Sequence, residues 1–160
     1  MRYRRILLPG GTYFFTVVTY KRRKLFTNPV NISHLTHAID KVKIVHPFQI
    51  VAQVILPDHI HTLWELPEGD HDYPTRWRLI KTEFSKQLPR EFDPKGSSSR
   101  QNKHERPIWQ RRYWEHTIRD DEDLDHHIDY IHFNPVQHDL VKYPHEWMDS
   151  TFKSFVDEGY

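Results

Sequence analysis

Residues 48–66, FQIVAQVILPDHIHTLWEL, decide the fold of this chain. The segments 48–56 and 59–66 are rich in β-branched and apolar residues, and Pro57-Asp58 forms a tight break between them. Runs of this kind, separated by turn residues, are typical of adjacent strands. We therefore predict two strands here, joined at residues 57–58.

The segments on either side of this pair predict two helices and a further strand. TYFFTVVTY at 12–20 reads as a strand, and 31–45 has the apolar spacing of a helix, which Pro47 ends. After the pair, Pro74 suits the first turn of a helix that reaches about Leu88. The sequence therefore predicts one helix before the strand pair and one after it, with a further strand at 12–20 before the first helix.

The remaining segments complete an α+β pattern. The aromatic segment 108–118 predicts a fourth strand, and 120–133 predicts a helix closed by Pro135. The order β-α-β-β-α-β is the split βαβ pattern of a ferredoxin-like antiparallel sheet, with the last helix as an added C-terminal helix. Since one face of such a sheet takes the two crossover helices, the other face is left for a substrate or a third helix.

The composition predicts one globular domain and excludes several classes of protein. The chain has 160 residues, 14% of them aromatic, and no cysteine. We expect a single domain over 1–160, with an exposed loop at 89–106 and a tail at 145–160. The missing thiols exclude disulfides and thiolate zinc sites. No apolar run reaches the ~20 residues of a membrane span or resembles a secretory signal, so we expect a soluble, cytoplasmic protein.

Charge is distributed unevenly along the chain, although the formal net charge is only +1. Residues 1–24 hold seven basic and no acidic residues, whereas residues 120–160 hold eleven acidic and two basic residues. Basic patches interleaved with aromatic rings can bind phosphates and unpaired bases, but a charge run alone is more often a solvated surface and a tryptophan more often core. The candidates for nucleic-acid contact are Arg4, Arg5, Arg22, Arg23, Trp77, Arg78, Arg111, Arg112 and Trp114.

His59 and His61 are candidate metal ligands. Alternate residues of a strand share a face, so these two imidazoles point the same way while Ile60 and Trp64 point to the other side. Two histidines with an amide or carboxylate suit Mn²⁺ or Mg²⁺ in phosphoryl chemistry, or Zn²⁺. The alternative is a pair of surface histidines on a half-exposed strand, and the pair by itself does not decide between them.

Tyr130 and Asn134 are neighbours on the predicted C-terminal helix, because residues four apart lie one turn from each other. The amide oxygen of Asn134 could complete a metal site begun by His59 and His61, with Tyr130 beside it. Taken alone, a tyrosine on the flank of an amphipathic helix is more often a packing residue.

A metal ion beside Tyr130 would make the phenol a usable nucleophile. A phenol with an ordinary pKa near ~10 reacts slowly at neutral pH. A nearby cation favours the phenolate and polarises a phosphate oxygen. This chemistry predicts attack by Tyr130 on a phosphodiester and a covalent phosphotyrosyl intermediate. Because the covalent bond conserves the energy of the phosphodiester, the step could join strands as well as cut them.

These residues together resemble one family, the REP-associated tyrosine transposases within the single-tyrosine HUH transposases and nucleases. His59-Ile60-His61 matches the HUH motif, in which U is a bulky apolar residue. Tyr130, in YIHFNPV at 130–136, falls at the place of the family's nucleophile, and Asn134 falls where relatives place a polar third metal ligand. Further matching blocks are 3–5, 9–16, 56–61, 109–119 and 147–152.

The resemblance implies a ferredoxin-like nuclease and strand-transferase that acts on single-stranded DNA beside imperfect hairpins, the repetitive extragenic palindromes (REPs). It implies cleavage with Mg²⁺ or Mn²⁺ that leaves a 5′-phosphotyrosine and a free 3′-hydroxyl. It further implies a bacterial, cytoplasmic and nucleoid-associated protein. The resemblance is to a monomeric branch, but a dimer stays open because related insertion-sequence transposases are dimers. The chain departs from the family pattern in the loop 89–106, which looks longer, and at 147–150, where WMDS replaces Trp-Pro-x-Ser.

Two other functions stay open at the level of sequence. A non-catalytic module that binds hairpins or single strands would have no need of His59, His61, Tyr130 and Asn134 together. A metallohydrolase that uses water as its nucleophile would not need Tyr130. The Tyr130→Phe variant separates the second alternative, because only covalent capture requires the phenol.

Overall fold

The computed structural model describes residues 10–159, so Arg4 and Arg5 lie outside the described residues. The strands are β1 (Thr12–Val18), β2 (Gln49–Ile55), β3 (His59–Glu65) and β4 (Trp114–Thr117). The helices are α1 (Pro29–Val45), α2 (Tyr73–Gln87), α3 (Ser98–Asn102), α4 (Asp121–Gln137) and α5 (Phe152–Asp157). Within residues 10–159, none of the helices has the length and apolar character needed to cross a membrane.

The four strands form one antiparallel sheet in the order β2-β3-β1-β4. This order follows from the split βαβ pattern: α1 carries the chain from β1 to β2, which leaves room for β3 between them, and α2 carries it to the far side of β1. The predicted α+β, ferredoxin-like fold is confirmed.

Each face of the sheet carries its own hydrophobic core. On one face, α1 and α2 pack on β1 and β3 through a large cluster that includes Leu35, Trp64 and Trp77. On the other face, α4 packs through Ile131, which is fully buried against a smaller cluster around Phe14 and Leu63. The second face was predicted to be free for a substrate or a third helix, and α4 occupies it.

Two predicted boundaries of secondary structure are wrong. Pro135 lies inside α4, which continues to Gln137. The proline removes only one main-chain donor, and the burial of Ile131 one turn earlier holds the helix against the sheet. Strand β4 is also shorter than the predicted 108–118, because Ile108 and Trp109 turn into the first core.

The segment 89–106, predicted as an exposed loop, contains the short helix α3 and is attached to its neighbours by two arginines. Arg106 makes two hydrogen bonds of 2.8 Å with the carboxylate of Asp93 and also donates to the main-chain oxygens of Ser85 and Leu88. Arg100 is 5% exposed and donates to the main chain of Arg106 and Trp109. These two arginines fasten the segment to α2 and to the chain that leads into β4.

The C-terminal segment covers the outer edge of β2. Ser150 pairs with Val54, the main-chain N–H of Thr151 donates to Gln53, and the indole N–H of Trp147 donates to the main-chain oxygen of Ile55 at 2.9 Å. The tail predicted at 145–160 therefore completes the sheet at this edge, where β2 would otherwise present unpaired main-chain groups.

Candidate active site

His59 and His61 lie on the face of β3 that α4 covers, as strand alternation predicts. Their ring centroids are 4.8 Å apart, and the residues are 7% and 4% exposed. The alternative of two surface histidines is therefore wrong.

The Nδ1 atom of each ring is held by a neighbouring side chain. His59 Nδ1 lies 2.6 Å from Asp58 Oδ1, and because a carboxylate only accepts, the lone pair of His59 is left on Nε2. His61 Nδ1 lies 2.8 Å from Thr16 Oγ1, and the tautomer that donates from Nδ1 to this oxygen has its lone pair on Nε2. Thr16 is the cross-strand partner of His61 on β1.

Burial favours the neutral form of both imidazoles. It lowers the pKa of His61 to about 3, with a further contribution from the charges of His59 and His138. Burial also lowers the pKa of His59, although the hydrogen bond that His59 donates to Asp58 acts in the opposite direction. A neutral imidazole with a free ring nitrogen is the form that binds metal ions.

The row of residues 130, 134 and 138 places α4 against the histidine pair. The Tyr130 ring lies 5.2 Å from the His61 ring, and the His138 ring lies 5.5 Å from the His59 ring. Asn134 lies between these two residues at the helical spacing of four, so it faces the pair. Tyr130 is 39% exposed and open to a substrate, whereas Asn134 is 1% exposed.

The residues fit a divalent metal ion. His61 Nε2 and Asn134 Oδ1 are both buried, and neither has a hydrogen-bond partner within residues 10–159. Leaving a buried acceptor unpaired costs about 1–3 kcal/mol, a cost that a bound cation would remove. Nitrogen and oxygen ligands without a thiolate suit Mn²⁺ or Mg²⁺.

Another group of possible metal ligands lies at the start of α4. One ligand atom from each of His116, Asp123 and His127 lies within 4.8 Å of the others. These atoms are already paired, since His116 Nε2 is 2.8 Å from Asp123 Oδ2 and His127 Nδ1 is 2.8 Å from the main-chain oxygen of Asp123. The two rings also stack on each other, with an interplanar angle of 16°. We interpret these hydrogen bonds as structural contacts that join α4 to β4. We call His116, Asp123 and His127 the α4 clamp.

Four of the predicted DNA contacts are exposed to solvent in the described part of the chain. Arg22 is exposed and pairs with Asp58 at 3.4 Å, next to His59. Arg78, Arg112 and Trp114 are exposed on α2, before β4 and on β4. Trp114 pairs with Thr16, which pairs with His61, and directly opposed residues point to the same face. Trp114 therefore lies on the same face of the sheet as His61, two strands away, and is 57% exposed. We call this face of the sheet the active face.

The other described candidates are occupied within the protein. Arg23 is half-buried and donates to the main chain of Phe92 at 3.0 Å, and Arg111 pairs with Glu105 at 2.9 Å. Trp77 is 1% exposed and stacks on Trp64 at a centroid distance of 4.3 Å. A ring buried to this extent offers no face on which a base could stack.

Sequence reasoning missed three residues of the site. Asp58 and Thr16 hold the histidine rings, and His138 lies beside His59. The spacing of four from Tyr130 through Asn134 to His138 was a signal that could have revealed His138. Thr16 could be found only from the strand register, which the sequence of β1 does not specify.

A tyrosine on a helix packed beside a histidine pair, on a ferredoxin-like sheet, defines the class of single-tyrosine HUH enzymes. Residues 10–134 match the model of the family described as "Transposase IS200 like". The chain belongs to this family of tyrosine transposases, which are DNA-cleaving enzymes.

Within the family, the chain is similar to REP-associated tyrosine transposases, as its motifs predicted. It is 45% identical over 158 residues to the REP-associated tyrosine transposase of Escherichia coli K12, which covers 98% of this chain and 86% of that protein. A Haemophilus influenzae protein provisionally named for the same group is 45% identical over 150 residues, or 94% of this chain and 84% of that protein. The solved structure of a REP-associated tyrosine transposase bound to a REP hairpin superposes with a TM-score of 0.82 at 43% identity, covering 99% of this chain and 87% of that chain.

Proposed function

We propose that this protein is a metal-dependent single-strand DNA endonuclease and strand-transferase that acts at REP-type hairpins through a covalent 5′-phosphotyrosine. The observation that carries this proposal is the exposed Tyr130 ring, 5.2 Å from the ring of His61, whose buried Nε2 has no partner in the described part of the chain. The similarity to a transposase solved with a REP hairpin supports the choice of substrate.

His59, His61 and Asn134 would hold the metal ion, Mg²⁺ or Mn²⁺. When bound, the ion would polarise a phosphate oxygen and favour the phenolate of Tyr130. Asp58 and Thr16 interact with Nδ1 of the two rings, so Nε2 of each ring stays available for a ligand bond. This arrangement supports metal binding without reorientation of either ring.

The proposed step is a transesterification. Tyr130 Oη attacks the scissile phosphorus, forming an Oη–P bond while the P–O3′ bond breaks. The phenol loses its proton, and the departing 3′ oxygen takes up a proton and leaves as a hydroxyl. One phosphoester bond replaces another, so the step needs no external energy source. The strand 3′ of the cut is then linked to Tyr130 through its 5′-phosphate, and attack by a 3′-hydroxyl reverses the step.

The same site supports the remaining expectations about the protein. Tyr130 lies 5.2 Å from His61 of its own chain, ring to ring, so the nucleophile and the proposed ligands can meet without a partner subunit, which supports a monomer. A chromosomal hairpin substrate supports a cytoplasmic, nucleoid-associated protein of a bacterium.

The test is a covalent-adduct assay with a 3′-labelled hairpin oligonucleotide and Mn²⁺. We expect the wild-type protein and Tyr143→Phe, a control at a residue 50% exposed in the C-terminal segment, to give a labelled band shifted by the protein's mass on a denaturing gel. Tyr130→Phe should bind the hairpin and give no adduct. Cleavage that persists in Tyr130→Phe would indicate water as the nucleophile, and tight wild-type binding without an adduct would indicate a non-catalytic module.

A further inference from the structure

A strained turn with two cations at its tip follows β1. The main-chain N–H of Arg23 donates to the main-chain oxygen of Tyr20 at 3.2 Å, which closes the turn over residues 20–23. The two central residues, Lys21 and Arg22, have φ values of 51° and 52°. A φ above zero at both central positions is the geometry of a type I′ turn. We call residues 20–23 the cationic turn.

The conformation of the cationic turn is unfavourable for the residues that adopt it. A left-handed φ brings Cβ close to the main chain, so type I′ turns favour Asn-Gly and similar pairs over long side chains. Lys21 and Arg22 are both exposed, and they place two like charges side by side. Strained conformations persist where the surrounding structure fixes them, and they cluster at functional sites. The strain therefore points to a function for these two cations.

The base of the cationic turn is fixed by contacts with other segments. The N–H of Tyr20 donates to the main-chain oxygen of Ile108 at 2.9 Å, and the guanidinium of Arg100 lies 4.6 Å from the Tyr20 ring. Thr19 is fully buried, and both its N–H and its hydroxyl donate to the main-chain oxygen of Asp58, at 3.0 and 3.1 Å. The tip can therefore keep its conformation while its side chains stay available.

The side chains at the tip place positive charge next to His59, which lies on the active face. Lys21 contacts only the ring of Tyr20, at 5.5 Å, and has no ion-pair or hydrogen-bond partner in the described part of the chain. Arg22 Nη1 lies 3.4 Å from Asp58 Oδ2, and the other carboxylate oxygen lies 2.6 Å from His59 Nδ1. Since a guanidinium carries several N–H donors, Arg22 keeps most of them for a ligand. One carboxylate thus holds an available guanidinium and a proposed metal ligand in a fixed relation.

The ligand that fits these groups is a phosphodiester of the strand that is cut. Lysine and arginine bind phosphate oxygens, and a guanidinium can do so through two parallel hydrogen bonds. Because a single carboxylate separates Arg22 from His59, a phosphate at the turn and a phosphate at the metal site would belong to neighbouring nucleotides. Lys21 and Arg22 offer charge and no ring, so the turn would bind the backbone without selecting bases.

We propose that the cationic turn is a clamp for the phosphate next to the scissile phosphate, with Lys21 and Arg22 as its two contacts. The proposal rests on the proposed function, and it explains why long cationic side chains occupy positions that favour Asn-Gly. The strained conformation is established when the protein folds, so DNA binding does not have to produce it. A clamp formed in advance loses little conformational freedom when it binds a flexible single strand.

The test separates the charge of the turn from its conformation. Lys21→Asn/Arg22→Gly introduces the pair that a type I′ turn favours, whereas Lys21→Gln/Arg22→Gln removes the same charge and leaves the strain. The control, Lys142→Gln/Lys153→Gln, removes two cations from exposed C-terminal positions. Binding is measured in EDTA with two ligands: a single-stranded oligonucleotide with the sequence that adjoins the base of a REP hairpin, and the same hairpin trimmed to its paired stem.

We expect both turn variants to bind the single strand at least tenfold more weakly than the wild type. The slope of log K against log salt should become shallower by about 1.4, at ~0.7 for each of the two lost phosphate contacts. Binding of the paired stem should change less than twofold, and the control should bind both ligands as the wild type does. In urea, Lys21→Asn/Arg22→Gly should unfold at a higher midpoint than the glutamine variant, because Asn and Gly accept a left-handed φ.

The other outcomes overturn the proposal in recognisable ways. Unchanged binding of the single strand would show that the turn does not contact DNA, and equal losses for both ligands would indicate general electrostatic attraction. Equal urea midpoints for the two turn variants would remove the argument from strain. The adduct assay with Mn²⁺ is run on the same samples. If the wild type forms no adduct while the turn variants still lose affinity for the single strand, the clamp stands and the proposed cleavage fails.

Discussion

Asn134→Ala distinguishes a metal ligand from an ordinary buried amide. Truncating a buried polar side chain usually destabilises a protein because hydrogen bonds are lost. Asn134 Oδ1 has no partner to lose within residues 10–159, and its unpaired burial costs about 1–3 kcal/mol. A cavity of a few tens of Å³ left by the amide costs about 1 kcal/mol at ~24 cal/mol per Å³. Without metal, the free energy of unfolding of Asn134→Ala should therefore lie between the wild-type value and about 2 kcal/mol above that value.

The assay is urea unfolding in EDTA and in Mn²⁺. A metal concentration of 100 times the wild-type Kd raises the free energy of unfolding by about 2.7 kcal/mol. If the lost ligand weakens binding tenfold, the same concentration stabilises Asn134→Ala by only about 1.4 kcal/mol. Gln137→Ala, an exposed amide on the same helix, is the matched control and should keep the full increment.

Two results would refute the reasoning. A loss of more than about 2 kcal/mol in EDTA would mean that the Asn134 side chain is satisfied inside the metal-free protein. An unchanged increment from Mn²⁺ would mean that Asn134 is not a ligand, whatever its effect on stability.

Three further predictions concern the groups around the site. Thr16→Val removes the oxygen that holds His61 Nδ1 and should weaken Mn²⁺ binding by ~10–100-fold in calorimetry, with Thr16→Ser near wild type; equal affinity in the valine variant would contradict this positioning. Trp114→Ala should weaken single-strand binding by about 1–3 kcal/mol in fluorescence titrations, whereas Phe92→Ala, another exposed ring, should not; equal losses would argue against stacking at Trp114. Burial would raise the pKa of Asp123, but hydrogen bonds from His116 and the Arg119 N–H outweigh it and lower the pKa to about 2 from 3.8. The stability that this carboxylate contributes is therefore present above about pH 4 and is lost as the pH falls towards 2. Asp123→Asn should flatten the pH dependence of the free energy of urea unfolding in that window. Parallel pH curves for the variant and the wild type would contradict the α4 clamp.

The sequence specifies those parts of the site that depend on local periodicity. His59 and His61 share a face because strand side chains alternate, and Tyr130 and Asn134 share a helix face because they lie four residues apart. Both relations hold whatever the rest of the fold does. For the same reason, the two faces of the sheet and the packing side of α4 could be predicted.

The features that the sequence did not reveal depend on contacts between distant segments. Thr16 reaches His61 only through the register of β1 on β3. The interpretation of Trp77 as a DNA contact rested on its neighbours Arg76 and Arg78, yet the helix turns it into the core while Arg78 faces solvent. The segment 89–106 has the composition of a loop, and it is attached to the fold by two arginines that donate hydrogen bonds to main-chain oxygens.

The way in which α4 is fastened bears on how DNA ends can be exchanged. The helix is fixed at its start by Asp123 and His116, in its middle by the buried Ile131, and beside it by His132 Nε2, 2.8 Å from Thr151 Oγ1. Tyr130 sits within this fixed length, and Asn134 follows one turn later. Under the proposed mechanism, a DNA end captured by Tyr130 cannot be carried elsewhere unless the whole helix detaches and takes a metal ligand with it. Under that mechanism the protein would act as a stationary acceptor: resealing would need no motion of the chain, and any exchange of partners would require that the incoming 3′ end travel to the enzyme.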